Sequence, residues 1–364
     1  MSLRIRRPDD WHVHWRSGKV LEAVLPFTMQ HFGRALVMPN IVPPVTTVAA
    51  AEAYAQEIRR AMAGVARTDA QRRFHPWLTL YLTDRTTAET IRAAQASGLV
   101  LAAKWYPAGA TTHSDAGVTR VEHLYPALEE MQRLDMVLCV HGEVTDAEVD
   151  VFDRERVFVQ RVLQPLRHRY PQLRIVLEHV TTAYAAEWVR SERSGRLGAT
   201  LTAHHLLCNR NALFAGGLRP HCYCLPVLKR ESDRQALLEA IRHDDRGQFF
   251  LGTDSAPHRR SRKESECCSA GCFTAPAAVS LYAQAFADAG MLERLEAFAS
   301  VNGARFYQVD LNEDVVELRP EPWTVPPSVP VIGMGIEADD DIRPFWSGQT
   351  LSWRYAETTP KACR

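Results

Sequence analysis

Lysine is scarce in this chain: five occur in 364 residues, Lys19, Lys104, Lys229, Lys263 and Lys361. Net charge is lacking too. Basic and acidic residues number 43 each, so no bulk field favours nucleic acid or an anionic membrane. No run of about 18 apolar residues occurs, which excludes a membrane-spanning helix. No G-x-G-x-x-G follows a strand-like run, so the open dinucleotide-binding sheet loses its usual fingerprint. The opening Met-Ser-Leu-Arg-Ile-Arg-Arg-Pro has no apolar core of a secretory signal. The eight cysteines then read as reduced thiols in a cytoplasmic protein rather than as a disulfide framework.

What is present is a rhythm. Short apolar runs cover 9–16, 34–40, 76–83, 99–107, 136–143, 173–180, 198–206 and 248–257. Amphipathic, helix-like segments separate them, near 18–32, 47–65, 86–97, 117–134, 150–170, 182–193, 228–245 and 274–290. Strands alternating with helices predict a parallel sheet, and eight such units are what an α/β fold of the (β/α)8 TIM-barrel type needs. A doubly wound sheet is the competing architecture. Pro39-Asn40-Ile41-Val42-Pro43-Pro44 must run as a loop. So must 207–227 and the charged, cysteine-rich 255–275. From about 309 prolines cluster and acids run through Glu337–Asp341. The expected division is therefore a barrel at 1–308 and an irregular extension at 309–364, with Trp346 and Trp353 as anchors.

Barrel enzymes carry their chemistry at the C-terminal strand ends. Here those ends hold His12, His14 and Arg16, then Asn40, Lys104, His141, His179 and Asp254, with His258 just beyond. On an extended strand His12 and His14 point the same way, and two imidazoles at that spacing suit a zinc-like ion. Each residue also has a plain structural reading: a hydrogen-bonded strand-end histidine, a helix cap for Asp254, a lysine reaching to solvent. Four histidines, one aspartate and one lysine at the ends of one barrel are poorly explained by separate coincidences. The charges balance if Lys104 reacts with CO₂ to become an anionic bridge between two divalent ions. An ammonium beside them would be strongly disfavoured.

Several stretches then resemble the amidohydrolase superfamily, and within it the shorter bacterial type of dihydroorotase. They are Arg-Arg-Pro-Asp-Asp-Trp-His-Val-His-Trp-Arg, Val-Met-Pro-Asn-Ile-Val-Pro-Pro, Ala-Ala-Lys-Trp-Tyr-Pro, Val-His-Gly-Glu, Glu-His-Val-Thr-Thr, Arg-Pro-His-Cys-Tyr-Cys-Leu-Pro and Gly-Thr-Asp-Ser-Ala-Pro-His. The resemblance implies two zinc ions per chain, with manganese and cobalt as alternatives. One is held by His12, His14, Lys104 and Asp254, the other by His141, His179 and the carboxylated Lys104. It implies that Arg16, Asn40 and His258 clamp a substrate carboxylate, that Leu225 and Ala270 meet the ring amide edge, and that Thr111 and Thr112 ride on a closing loop. It implies Asp254 as general acid and base, a small-molecule substrate and a homodimer. The expected reaction interconverts N-carbamoyl-L-aspartate and L-dihydroorotate. The alternatives are a hydantoin- or dihydropyrimidine-opening relative, or an inactive barrel. The chain departs from the pattern at Gly109 and His113, where asparagines are usual, and at Ala203-His204-His205, where Pro-Gln-His is common. Cys267-Cys268-x₃-Cys272 fits no standard structural zinc spacing and reads as a substrate-facing loop.

Overall fold

A computed structural model describes residues 2–337 and 339–357. The end of the expected extension, with Lys361 and Cys363, lies outside the described residues. A first strand, β1 (Leu3–Arg6), precedes eight parallel strands: β2 (Asp9–Val13), β3 (Arg34–Val37), β4 (His75–Leu82), β5 (Val100–Trp105), β6 (Val137–Val140), β7 (Ile175–Leu177), β8 (Leu197–Leu201) and β9 (Phe249–Leu251). They pair in chain order. The ring closes just beyond the strands, where His14 N–H donates to Ser255 O at 3.0 Å and Asp254 N–H to His12 O at 2.8 Å. This is the expected (β/α)8 barrel.

Helices follow the strands because each crossover must bring the chain back to start the next parallel strand. Several begin on a threonine side chain that accepts the N–H three residues on: Thr47, Thr87 and Thr182. Such a cap satisfies a backbone donor that the first helical turn leaves free. Outward-facing strand residues and the inner helix faces, such as Leu25, Ile58 and Ile91, form one buried apolar layer. Among the described residues no helix is long and apolar enough to cross a membrane.

The barrel interior is a second layer made by Trp11, Leu36, Met38, Ala102, Val137, Cys139, Val176 and Phe250. Its floor is a helical segment absent from the expected rhythm, 297–307. Tyr307 stacks on Trp11 with ring centroids 4.3 Å apart. Gly303 permits that approach, since a Cβ there would stand 2.0 Å from Trp11 Nε1. In β2 one extra residue falls between the pairs Asp10–Ala35 and Val13–Val37. This bulge turns consecutive residues inward, Trp11 to the floor and His12 to the site above it.

The extension is more regular than expected. It contains β10 (Val315–Arg319), β11 (Trp323–Thr324), β12 (Thr350–Leu351) and β13 (Arg354–Glu357). β10 lies antiparallel between β1 and β13, so the chain's first strand is paired by residues over 300 positions away. Local pattern carries no sign of such a partner. Trp323 Nε1 donates to Trp353 O at 2.8 Å. The acidic run is engaged as well: Asp340 pairs with Arg259 at 2.9 Å and Asp339 with Arg260 at 2.8 Å. The extension thereby holds the loop that follows β9.

Candidate active site

The six ligand-type residues converge at the C-terminal mouth of the barrel. His14 Nε2 lies 3.0 Å from Asp254 Oδ1, and His12 Nε2 lies 3.4 Å from the same oxygen. The two ring nitrogens are 3.3 Å apart. His179 offers a ring nitrogen within 4.8 Å of the His12 and Asp254 donors. The His141 and His179 rings are 4.7 Å apart, centroid to centroid. Lys104 is fully buried, and its Nζ has no hydrogen-bond partner among the described residues.

Two of these residues sit in the left-handed region, His179 at φ 40° and Asp254 at φ 44°. Such backbone is costly for a side chain with a Cβ and persists where the surroundings over-determine it. Here His179 N–H is held by Thr200 Oγ1 at 2.7 Å, and Asp254 N–H by His12 O. Asp10 accepts from His12 N–H, from Thr253 N–H and from Thr253 Oγ1, tying β2 to the end of β9.

Carboxylates behind the ligands set their tautomers. His12 Nδ1 is 2.8 Å from Glu178 Oε2 and His141 Nε2 is 2.8 Å from Glu143 Oε2. Each ring thus donates its N–H backward and turns its lone pair to the site. Burial lowers His14 to about 4, against the pull of Asp254. Burial also holds His179 well below the ordinary histidine range, with His141 adding to it. Burial would raise Asp254, but the His14 hydrogen bond and the facing His12, His14 and His179 rings bring it well below the usual carboxylate range. Neutral imidazoles and one carboxylate with convergent lone pairs are a donor set for a divalent metal of the zinc class. The orphaned amine of Lys104 fits the same conclusion, since a buried polar group without a partner calls for an explanation.

A small cavity opens over these groups. Arg16, Asn40, Thr111, Thr112, Leu225 and Ala270 all line it, together with Tyr106, Ala256 and Gly271, which sequence reasoning did not single out. Arg16 lies past the end of β2 rather than on it. A φ of 62° turns it inward, and Tyr54 Oη holds its carbonyl at 2.8 Å. Its Nε donates to Pro257 O, Nη2 meets His258 Nε2 at 3.0 Å, and Nη1 is buried without a partner among the described residues. His258 Nε2 stands behind the cavity, 3.0 Å from Arg16 Nη2 and 2.9 Å from Ala270 O, and its tautomer decides which of the two it bonds.

The loop bearing the two threonines is folded down. Asn40 Nδ2 donates to Thr112 O at 3.0 Å, and Thr112 Oγ1 donates to Ala270 O at 3.2 Å. His113 adopts φ 56°, a conformation asparagine tolerates better, and its Nδ1 donates to Asn40 O at 3.1 Å.

Sequence reasoning missed Glu178, Glu143, Thr200 and Asp10. Glu178 and Glu143 stand one and two positions from ligand histidines, and an acid that close to a buried histidine was an available signal. Thr200 had none, because its partner lies on another strand.

Residues 10–314 match the model of the amidohydrolase family. The chain is 55% identical over 356 residues to a dihydroorotase of an Azoarcus species, covering 98% of this chain and 99% of that one. Among solved structures it is similar to a dihydroorotase from Campylobacter jejuni, with 30% identity, TM-score 0.84 and 97% of each chain covered. It is equally similar to a Saccharomyces cerevisiae dihydroorotase in complex with 5-fluoroorotic acid, with 31% identity, TM-score 0.85 and 98% of each chain covered. A barrel closed over convergent histidines and an aspartate, with relatives this near across its whole length, belongs to the amidohydrolase family and, within it, to the dihydroorotases.

Proposed function

We propose that the chain catalyses the reversible cyclisation of N-carbamoyl-L-aspartate to L-dihydroorotate with loss of water, a step of pyrimidine synthesis. The observation that carries this reading is that Arg16 and Asn40 share one cavity with Asp254 and the histidines. A guanidinium with a buried, unpartnered Nη1 suits a substrate carboxylate, which hydantoin and dihydrouracil lack.

His12, His14, Lys104 and Asp254 would hold one zinc ion, and His141 and His179 with Lys104 a second. When bound, the pair supplies a hydroxide at neutral pH and polarises the amide carbonyl. Burial depresses the Lys104 amine below its ordinary range, against the opposing charge of Glu178. A neutral amine there would add CO₂ with loss of a proton, and the carbamate would supply negative charge to the two cations.

The remaining chemistry belongs to the chain. Arg16 and Asn40 bind the carboxylate, with His258 setting the guanidinium. The backbones at Leu225 and Ala270 meet the amide edge of the ring. Thr111 and Thr112 close over it and exclude water. In ring opening Asp254 takes the proton of the attacking nucleophile and delivers it to the departing ring nitrogen, acting as base and then acid. Cyclisation runs the same transfers in reverse.

We further read residues 1–308 as the catalytic barrel with 309–364 packed on it, acting in the cytoplasm as a homodimer; light scattering on the purified protein tests the dimer. The reaction is tested by offering N-carbamoyl-L-aspartate beside N-carbamoyl-β-alanine, which lacks the α-carboxylate. Cyclisation of the first alone is expected. Preference for the second would move the assignment to the dihydropyrimidine-opening relatives.

A further inference from the structure

A second group of metal-type side chains lies where the loop after β8 meets the loop after β9. His204 and His205 sit on the short helix Ala203–Leu207. One ligand atom from each falls with Cys224 Sγ inside a 4.8 Å group, and all three residues are buried. His205 is accounted for, since Thr202 Oγ1 meets its Nδ1 at 2.7 Å and its Nε2–H donates to Pro226 O at 3.0 Å. His204 is not. It is completely buried, and neither ring nitrogen has a partner among the described residues. An imidazole carries one donor and one acceptor, and interiors rarely leave both unmade.

Cys272 stands on the other loop beside Cys224; its Sγ lies outside that 4.8 Å group and donates to His221 O at 3.6 Å. Both cysteines are free thiols. Lys263 stands beside them, buried, its ammonium donating to Tyr223 O, Ser269 O and Gly271 O. It has no carboxylate partner among the ion pairs of the described residues.

We propose that His204, His205 and Cys224 form a second, zinc-class metal site, distinct from the catalytic centre, which Cys272 completes by exchanging its bond to His221 O for the ion. Two thiols and two neutral imidazoles are the Cys₂His₂ set of structural zinc. Binding one divalent ion releases two thiol protons to solvent, and the two thiolates cancel its charge, so the net charge beside Lys263 does not rise. Donors around tetrahedral zinc are roughly 3.3–3.8 Å apart, as bond lengths of about 2.0–2.3 Å require. Cys224 Sγ and His205 Nε2 already stand 3.7 Å apart. His205 exchanges its hydrogen bond to Pro226 for the ion, and His204 gains the partner it lacks.

The site has a consequence for catalysis. Cys224 precedes Leu225 and Cys272 follows Gly271, and both of those neighbours line the catalytic cavity. Gly271 N–H already donates to Tyr223 O at 3.0 Å. An ion at this point pins together the two loops whose backbones face the substrate.

The test is cobalt titration of the reduced, metal-free protein. Thiolate ligands give Co²⁺ a near-ultraviolet charge-transfer band, whereas the oxygen and nitrogen donors of the catalytic centre give none. The band should saturate at one ion per chain, persist in Lys104→Ala, and vanish in both His204→Gln and Cys272→Ser. Zinc content should fall by one ion per chain in His204→Gln, with circular dichroism unchanged. No band at saturating cobalt, or a band surviving in His204→Gln, would overturn the site. A Cys224–Cys272 disulfide in the native protein would also overturn it.

Discussion

Glu178 Oε2 stands 2.8 Å from His12 Nδ1 and takes a second hydrogen bond, at 2.5 Å, from Thr200 Oγ1. Burial alone would raise this carboxyl. The charges of His12 and Lys104 and the two hydrogen bonds bring it below the usual range instead. The ionised carboxylate fixes His12 with Nδ1 protonated and Nε2 free toward Asp254. Glu178→Gln keeps the shape and removes the charge, so metal affinity should drop about 10–100-fold. Competition with a chromophoric chelator measures it, and unchanged affinity would remove Glu178 from its role.

Lys104→Ala removes a side chain whose Nζ has no hydrogen-bond partner among the described residues. If that amine is the precursor of the bridging anion, the variant should purify with less metal than the wild type and with ring-opening activity lost. Elemental analysis and a turnover assay report the two together. Full metal content with normal turnover would refute the bridge.

Thr112→Val probes loop closure. The change deletes the hydroxyl that bonds Ala270 O and leaves the volume almost intact. One neutral hydrogen bond is worth about 1 kcal/mol, so KM should rise about fivefold with kcat changed less. An unaltered KM would mean that the closed loop does not depend on this contact.

His31 sets a limit on stability in acid. It is buried, its Nδ1–H donates to Ala275 O at 3.0 Å, and its ring packs on Tyr355. Burial moves its pKa from 6.5 to about 4. Between those values the unfolded chain binds a proton that the native one refuses. This contribution is therefore complete above pH 6.5 and lost as pH falls toward 4, amounting to about 3 kcal/mol. Urea unfolding of His31→Gln at pH 7 and pH 4.5 should show a smaller difference between the two conditions than the wild type. Equal differences would assign the acid sensitivity elsewhere.

The eight strands were legible because each is a short apolar run buried on both faces, and the ligand residues because they sit at predictable ends of those runs. The helical floor at 297–307 was not, since its function is to plug a ring formed by eight distant segments. β1 was hidden for a similar reason: Leu3–Arg6 is a strand only because Val315–Arg319 pairs with it. Arg16 was expected at the end of the first barrel strand. It reaches the cavity through a positive φ instead, which no two-residue period announces. His12 faces inward beside Trp11 because of a bulge that only the pairing with β3 exposes.

The most direct test of the central claim is ring opening of L-dihydroorotate by metal-loaded Asp254→Asn. The asparagine keeps an oxygen near His12 and His14 but cannot carry a proton. The account predicts a fall in kcat of about 10²–10⁴-fold, with dihydroorotate binding still measurable by calorimetry. A variant that binds substrate and turns it over at a near-normal rate would contradict Asp254 as the proton carrier.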